Sequence, residues 1–468
     1  MDEVALSHEK NGRKSDQFDL TGSHSQRKLD KLGSASFISS VSNLLNTIIG
    51  AGVLAMPYAL SSTGILGGII ILFISAITSG LGLYFLAGCA LKLKRGEASF
   101  HKITDITFPS VSFLFDAIIA VKCFGVTVTY LILIGDVMPQ VIRMIKSDLS
   151  DTSFLISRHF WITIFMAFIT PFMFLRRLDS LRYISIVSLF SISYLTIIVI
   201  KYFFQRNVWN SDVEVHFLKG KGINAIISSV SVFIFAYNCH ENMFTIVNEI
   251  RDNSRKNIAK VIFTSIGLSS ILFLLLAILG YLTFGVLVPE NIILGYEYSV
   301  ATTIARVAVI VVIMFSYPLQ GYPCRVNLDY ALSWNPKSRR PINRITSEMS
   351  NLRFNILTCM IIVFSYLLAM TIRSFERVLS YVGSIGSTAT SFILPGLYYS
   401  KLVYTEDILY SKDDQDNREI ENRSSLLNKS RFSKAWYSKM AAISLAVFGI
   451  IVALISFISN ILYTVQGR

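Results

Sequence analysis

The stretch NTIIGAGVLAMP, residues 46–57, sits where a membrane helix should be strongest and is built to break one. Gly50 and Gly52 lack Cβ atoms, so the backbone there can unwind and present bare N–H groups. Pro57 has no N–H to give, which leaves the carbonyl of Val53 without its helical donor. In hydrocarbon such freed groups must be met by neighbouring protein, water or a ligand, so irregular backbone at membrane depth marks a cavity. The positive end of the half-helix that follows would face that cavity and favour a carboxylate. Close helix packing is the plainer reading of the same small residues.

Outward from this stretch, the composition sets the solvent. The chain of 468 residues is 53% apolar and 16% charged, against about 25% charged in a soluble domain. Apolar runs such as 65–91 and 261–284 have the ~20-residue length that crosses a hydrocarbon core, and they lack the alternation of a membrane barrel. The expected fold class is therefore an all-α polytopic membrane protein. Eleven transmembrane helices are expected, starting near Phe37, Ile65, Phe113, Phe160, Tyr183, Gly222, Ile258, Ser299, Leu352, Phe375 and Tyr437. With a cytosolic N-terminus, the inward segments carry 31 of the 43 lysines and arginines, which supports an odd number of spans. The net charge of +13 then reflects these loops, and no nucleic acid is expected as a partner. Cys89, Cys123, Cys239, Cys324 and Cys359 are odd in number, lie in or beside apolar runs and read as free thiols.

The polar residues 1–35 show neither a signal peptide nor a transit peptide and read as a disordered cytosolic tail. A second polar stretch, 405–433, reads as a cytosolic loop before the last span at 434–468, which ends in a short luminal C-terminus. The sequons at Asn422 and Asn428 fall in that loop and are expected to stay unmodified. Leu426 and Leu427 after Glu421 sit one residue off the usual sorting spacing, and a plain linker is the favoured reading. Between the two polar segments lies a core at 36–404.

The sixth expected span repeats the anomaly of the first. AYNCHENMF, residues 236–244, places Asn238, His240, Glu241 and Asn242 in one apolar helix. They cannot all face lipid, because a charge at the bilayer centre costs on the order of 3 kcal/mol even on lenient scales. Interruptions five helices apart are the signature of a five-plus-five inverted repeat, about 36–205 and 222–404, whose paired broken helices form one midplane site. An eleventh helix is appended.

Four stretches carry a family resemblance: GAGVLAMPYAL (50–60), KCFGVTVTYLILIGDVMP (122–139), FAYNCHENMFTIVNEI (235–250) and FSYPLQGYPCR (315–325). Together they resemble the amino acid/auxin permease family, and within it the fungal vacuolar amino acid transporters, in particular the exporting branch, whose substrates include acidic amino acids. Glu241 departs from the proline or glutamine of many relatives. The resemblance implies a LeuT-like fold and symport of an amino acid with a proton, or sodium in some branches, at a vacuolar membrane. It places the substrate carboxylate at the amides of Ile49, Gly50, Ala51 and Gly52. The ammonium would meet oxygen atoms near Asn46, Tyr237 and Asn238, with Tyr130 and Ser316 as pocket walls; for Tyr130 a packing role is equally open.

For proton coupling the candidates are His240, whose ordinary pKa lies between a neutral cytosol and an acidic lumen, and Glu241. Either could instead hold the helix break open. By depth along their spans, Lys122 with Glu249 and Asp136 with Arg306 are expected to form two gating pairs, unless these are static. Lys122 could also stand in for a bound cation. Two other functions stay open: a sodium-coupled plasma-membrane importer, with Asn46 and a hydroxyl of Thr302, Thr303 or Ser316 as ligands, and an amino acid sensor that does not transport. No nucleophile–base pair, phosphate loop or metal-ligand set is present, so neither an enzyme nor a cofactor or metal is expected.

Overall fold

A computed structural model describes residues 33–146, 148, 150, 153–176, 184–205, 213–334, 349–402 and 424–466, with backbone alone at 184–186, 424–435 and 466. The tail before residue 33, most of the polar loop at 405–433 with Asn422, and the side chains of Leu426, Leu427 and Asn428 lie outside the described residues.

Helix α1 (Phe37–Ile48) begins at Ser36, whose hydroxyl accepts the Ser39 N–H at 3.2 Å. It ends where Ile49 turns to ψ 66°, and α2 (Gly52–Thr63) restarts at an angle of 56°. All of α2 except Tyr58 is buried. Gly64, at φ 76°, then reverses the chain into α3 (Ile65–Ala90), a left-handed position that suits glycine.

The chain continues through α4 (Phe100–Thr107), α5 (Ser112–Ile145), α6 (Arg158–Met173) and α7 (Ile184–Gln205). The sixth span is broken like the first, into α8 (Ile223–Ala236) and α9 (His240–Glu249). Then come α10 (Arg255–Phe284), α11 (Val300–Ser333), α12 (Asn351–Thr371) and α13 (Phe375–Tyr381). Beyond α13 the helix widens into π turns at Val382–Ser387 and Ala389–Ile393 and runs on to residue 402. The last helix is α14 (Ser424–Gln466).

Eight described helices are long and apolar enough to cross a membrane, nine if the bent pair α1–α2 counts as one span. Helices also stand at the fourth and tenth expected positions, but α6 has 16 residues and the tenth is a composite of short α and π segments. The count read from apolar runs treats every run as one long regular helix, whereas α6 is short and the tenth is irregular.

The core lies among α2, α5, α8, α10 and α11. The outward faces of the helices, α10 included, instead present large apolar side chains, among them Phe263, Ile271, Phe364 and Leu454, which is the inverse of a water-soluble surface. At the face where α1 begins, Ala35 pairs with Ile250 across the two broken spans: the Ala35 N–H donates to Glu249 O at 3.0 Å and the Arg251 N–H to Ala35 O at 2.9 Å.

Candidate functional site

The break in the first span engages two of its amides locally. Ile49 N–H donates to Leu45 O at 2.8 Å and Gly50 N–H to Ile48 O at 2.9 Å. The amides of Ala51 and Gly52, at the start of α2, have no helical acceptor. The anion-facing set expected from Ile49 to Gly52 thus narrows to its second half. Neither Gly50 nor Gly52 has positive φ, so neither is required by backbone handedness. A Cβ on Gly52 would lie 3.0 Å from Ala236 Cα, whereas one on Gly50 would meet only Thr47 O, at 3.7 Å. Gly52 is there to let α2 approach α8, and Gly50 borders open space.

That space is a chamber of about 650 Å³ bounded by α1, α5, α7, α9 and α11, within the size range of small-molecule sites. It gathers Asn46, Ile49, Gly50, Tyr130, Ser316 and Glu241 from the residues singled out in the sequence. A narrower recess of about 50 Å³ continues inward past Tyr130 and Ser316 to Ala51, Val53 and Leu54. The mouth lies at the face where α1 begins, between Ser99 and His101 of the α3–α4 region and Tyr330 of α11, with the His101 and Tyr330 rings stacked at 3.7 Å.

Other expected members lie elsewhere. The Tyr237 hydroxyl donates to Ser270 Oγ on α10 at 2.7 Å, and its fully buried ring packs on Phe273. Asn238 donates to Thr390 Oγ1 at 3.2 Å. His240 is fully buried behind the site, with Nε2 3.2 Å from Ser79 O and Nδ1 3.0 Å from Ser391 Oγ. One neutral tautomer, Nε2–H donating and Nδ1 accepting, satisfies both contacts. Thr302 caps the far end of α11 through Ser299, so neither it nor Thr303 beside it reaches Asn46.

The two depth-matched pairs do not form in this conformation. Lys122 Nζ is 2.9 Å from Glu241, not on Glu249. Glu241 stands in the first turn of a helix that restarts at His240, and depth counted through an unbroken span misplaces it. Asp136 is 3.3 Å from Arg158 Nε on α6. Arg306 instead turns to the α10–α11 connection and donates to Tyr296 O at 2.7 Å. Depth fixes height in the membrane but not which neighbour a helix face meets.

Sequence reasoning gave no individual role to three contributors. Ser188 of α7 lines the chamber and the recess; serines at 185, 188 and 191, spaced by three on one helix face, were the available signal. Asn242 of α9 donates to Thr47 of α1 and joins the two broken spans across the site. The π segment after α13 holds the second break: Ser391 and Thr390 take His240 and Asn238, and Gly386 makes room for the Lys122 stem. Its run SIGSTATS, 384–391, is all small and hydroxylic apart from one isoleucine, inside an apolar span.

Two half-helices meeting across a polar chamber agree with the comparisons to known proteins. The family profile described as "transmembrane amino acid transporter protein" matches residues 33–411. This chain belongs to that family. As a member of the transmembrane amino acid transporter family it is a transporter and not an enzyme. It is 43% identical to vacuolar amino acid transporter 5 of Schizosaccharomyces pombe over 79% of this chain and 85% of the relative. It is 37% identical to vacuolar amino acid transporter 5 of Saccharomyces cerevisiae over 79% and 89%. Among solved structures, the inward facing conformation of Mhp1 superposes with a TM-score of 0.55 at 15% identity, covering 93% of this chain and 92% of that one. The family member thus shares the all-helical, LeuT-like architecture expected from its broken spans.

Proposed function

We propose that this transporter moves amino acids from the vacuole lumen to the cytosol in symport with protons. The observation that carries the site is the chamber between the broken first and sixth spans, with Ala51 lining the recess at its inner end and the Ala51 and Gly52 amides left without a helical acceptor. The substrate carboxylate binds these amides at the positive end of α2. Its ammonium is met by oxygen atoms of Asn46 and Ser316, with Tyr130 as a wall. Among the described residues no lysine or arginine lines the chamber, which supports neutral substrates over acidic ones, since a second carboxylate would find neither of these cations there.

Eleven spans in an inverted five-plus-five repeat plus one, with a cytosolic N-terminus, put the chamber mouth at the cytosol; lipid covers the outer apolar faces. The vacuolar location is supported by the names of the relatives. Glu241 is the coupling carboxyl at the chamber, because protonating it releases Lys122, whereas His240 serves the scaffold. A lumen about two pH units more acidic than the cytosol supplies roughly 2.7 kcal/mol per proton, enough for about a hundredfold gradient in one-to-one symport.

The test is amino acid flux in vesicles reconstituted with the purified chain. A pH gradient is expected to drive accumulation on the neutral side, and replacing sodium is expected to change nothing. Flux that ignores the pH gradient and follows sodium would overturn the coupling; binding without flux would favour a sensor.

A further inference from the structure

Two carboxyl side chains are buried among the described residues, Asp116 and Glu376, at 1% and 3% exposure. Asp116 has His101 Nδ1 at 3.2 Å. Glu376, in the first turn of α13, has no lysine, arginine or histidine nitrogen within 4 Å. Its Oε1 accepts from Ser380 Oγ at 2.7 Å and from Ser228 Oγ of α8 at 3.1 Å. The two serines are themselves 3.0 Å apart.

The surroundings supply no charge match. Glu290, in the α10–α11 connection, accepts the Glu376 backbone N–H at 3.0 Å and so brings a second carboxylate close. Lys221 and Tyr58 lie within electrostatic reach, but the Lys221 ammonium rests over the Tyr58 ring, 4.8 Å from its centroid. Tyr463 of α14 stands beside Tyr58, Arg377 follows on α13 itself, and Asp136 of α5 is held by Arg158. Two serine hydroxyls do not replace the hydration of a full negative charge. A buried carboxylate without a cation costs several kcal/mol, and a like charge nearby adds to that.

The neighbours of Glu376 border a cavity. Phe375 and Glu290, with Asp136, Arg158, His159 and Arg373, line a cavity of about 560 Å³. It lies at the opposite end of the molecule from the chamber mouth.

We infer that Glu376 is a proton-binding site distinct from the chamber, loaded from the far face through the cavity beside Glu290. The proton comes from water in that cavity and forms an O–H bond on Oε2, while Oε1 keeps both serine donors. It returns to water when α8 and α13 move apart and the carboxyl loses Ser228. This extends the proton-coupled reading above and rests on it for its role in transport.

Infrared difference spectra of the purified full chain between neutral and alkaline pH test the site directly. A protonated-carboxyl C=O band is expected that Glu376→Gln removes and Ser380→Ala moves to higher frequency, because Ser380 no longer donates to that oxygen. In vesicles, Glu376→Gln is expected to transport at a rate that no longer responds to pH on the far side. A spectrum unchanged by both substitutions, or a wild-type pH response in Glu376→Gln, overturns the inference. Should Glu376→Gln not fold, Ser380→Ala carries both readouts, and an unchanged band with an unchanged pH midpoint overturns it. Wild-type flux blind to the pH gradient would instead sink the proposed symport and leave the infrared result to speak for Glu376 alone.

Discussion

Lys122 and Glu241 are where charge enters the membrane core in pairs. The ammonium is 4% exposed and the carboxylate 23%, so one partner is dry and the other touches the chamber. Removing one member of a buried pair costs about 3–5 kcal/mol, and water at Glu241 places this pair toward the lower end. Lys122→Met is therefore expected to lower the melting temperature, and adding Glu241→Gln to recover most of the loss. A double variant as unstable as the two single losses summed would mean that the residues are not coupled. Glu241 was legible in the sequence as an acid inside an apolar run; its partner was not. Depth along the spans paired Lys122 with Glu249 instead, because it does not show that α9 restarts at His240 and brings Glu241 to a helix start beside Lys122. Both ring nitrogens of His240 meet groups on α3 and the π segment, an arrangement that favours the other role the sequence left open for it, holding the helix break.

The broken helices were the most legible elements, because glycine, proline and a polar cluster gathered within apolar sequence are costly in lipid unless the helix opens there onto a cavity. What the pattern could not give was the division of labour between the two glycines. Gly52 sets the contact between α2 and Ala236 of α8, while Gly50 borders the chamber. Gly52→Val is expected to push α2 off α8, cost on the order of 1–3 kcal/mol by overpacking, and abolish flux. Gly50→Ala is expected to keep wild-type stability while weakening apparent affinity. Thermal unfolding paired with vesicle flux checks both, and equal loss of stability in the two variants would refute the assignment. The tenth span shows in sequence only its run of small and hydroxyl side chains at 384–391, which does not specify π turns. Its π turns arise from packing rather than local pattern: Gly383 and Gly386 sit where a Cβ would strike the Ser231 carbonyl and the Lys122 stem, and only the assembled neighbours reveal that.

On the scale of the whole molecule, the recess at the inner end of the chamber is lined by Val53, Leu54, Val309 and Ile313, and the far cavity shares no lining residue with the recess or the chamber. A cysteine placed at Ser316, in a Cys359→Ser background that removes the one exposed native thiol among the described residues, is expected to react with a membrane-impermeant reagent. The reaction should come from the face bearing Ser99 and Tyr330, and substrate should slow it. Equal labelling from the opposite face in the absence of substrate would show that the recess does not seal. The membrane class and helical architecture could be read from composition and run length alone. Which side the chamber opens to could not, because it depends on how α1 and α9 tilt against the rest.

Those two half-helices are also stitched to each other by the paired backbone of Ala35 and Ile250, on the rim where α1 begins and α9 ends. To part the two jaws at that lip, those two backbone hydrogen bonds must break. A pull on the backbone at Ala35 is passed through the same two bonds to the opposite wall, at residues 249–251.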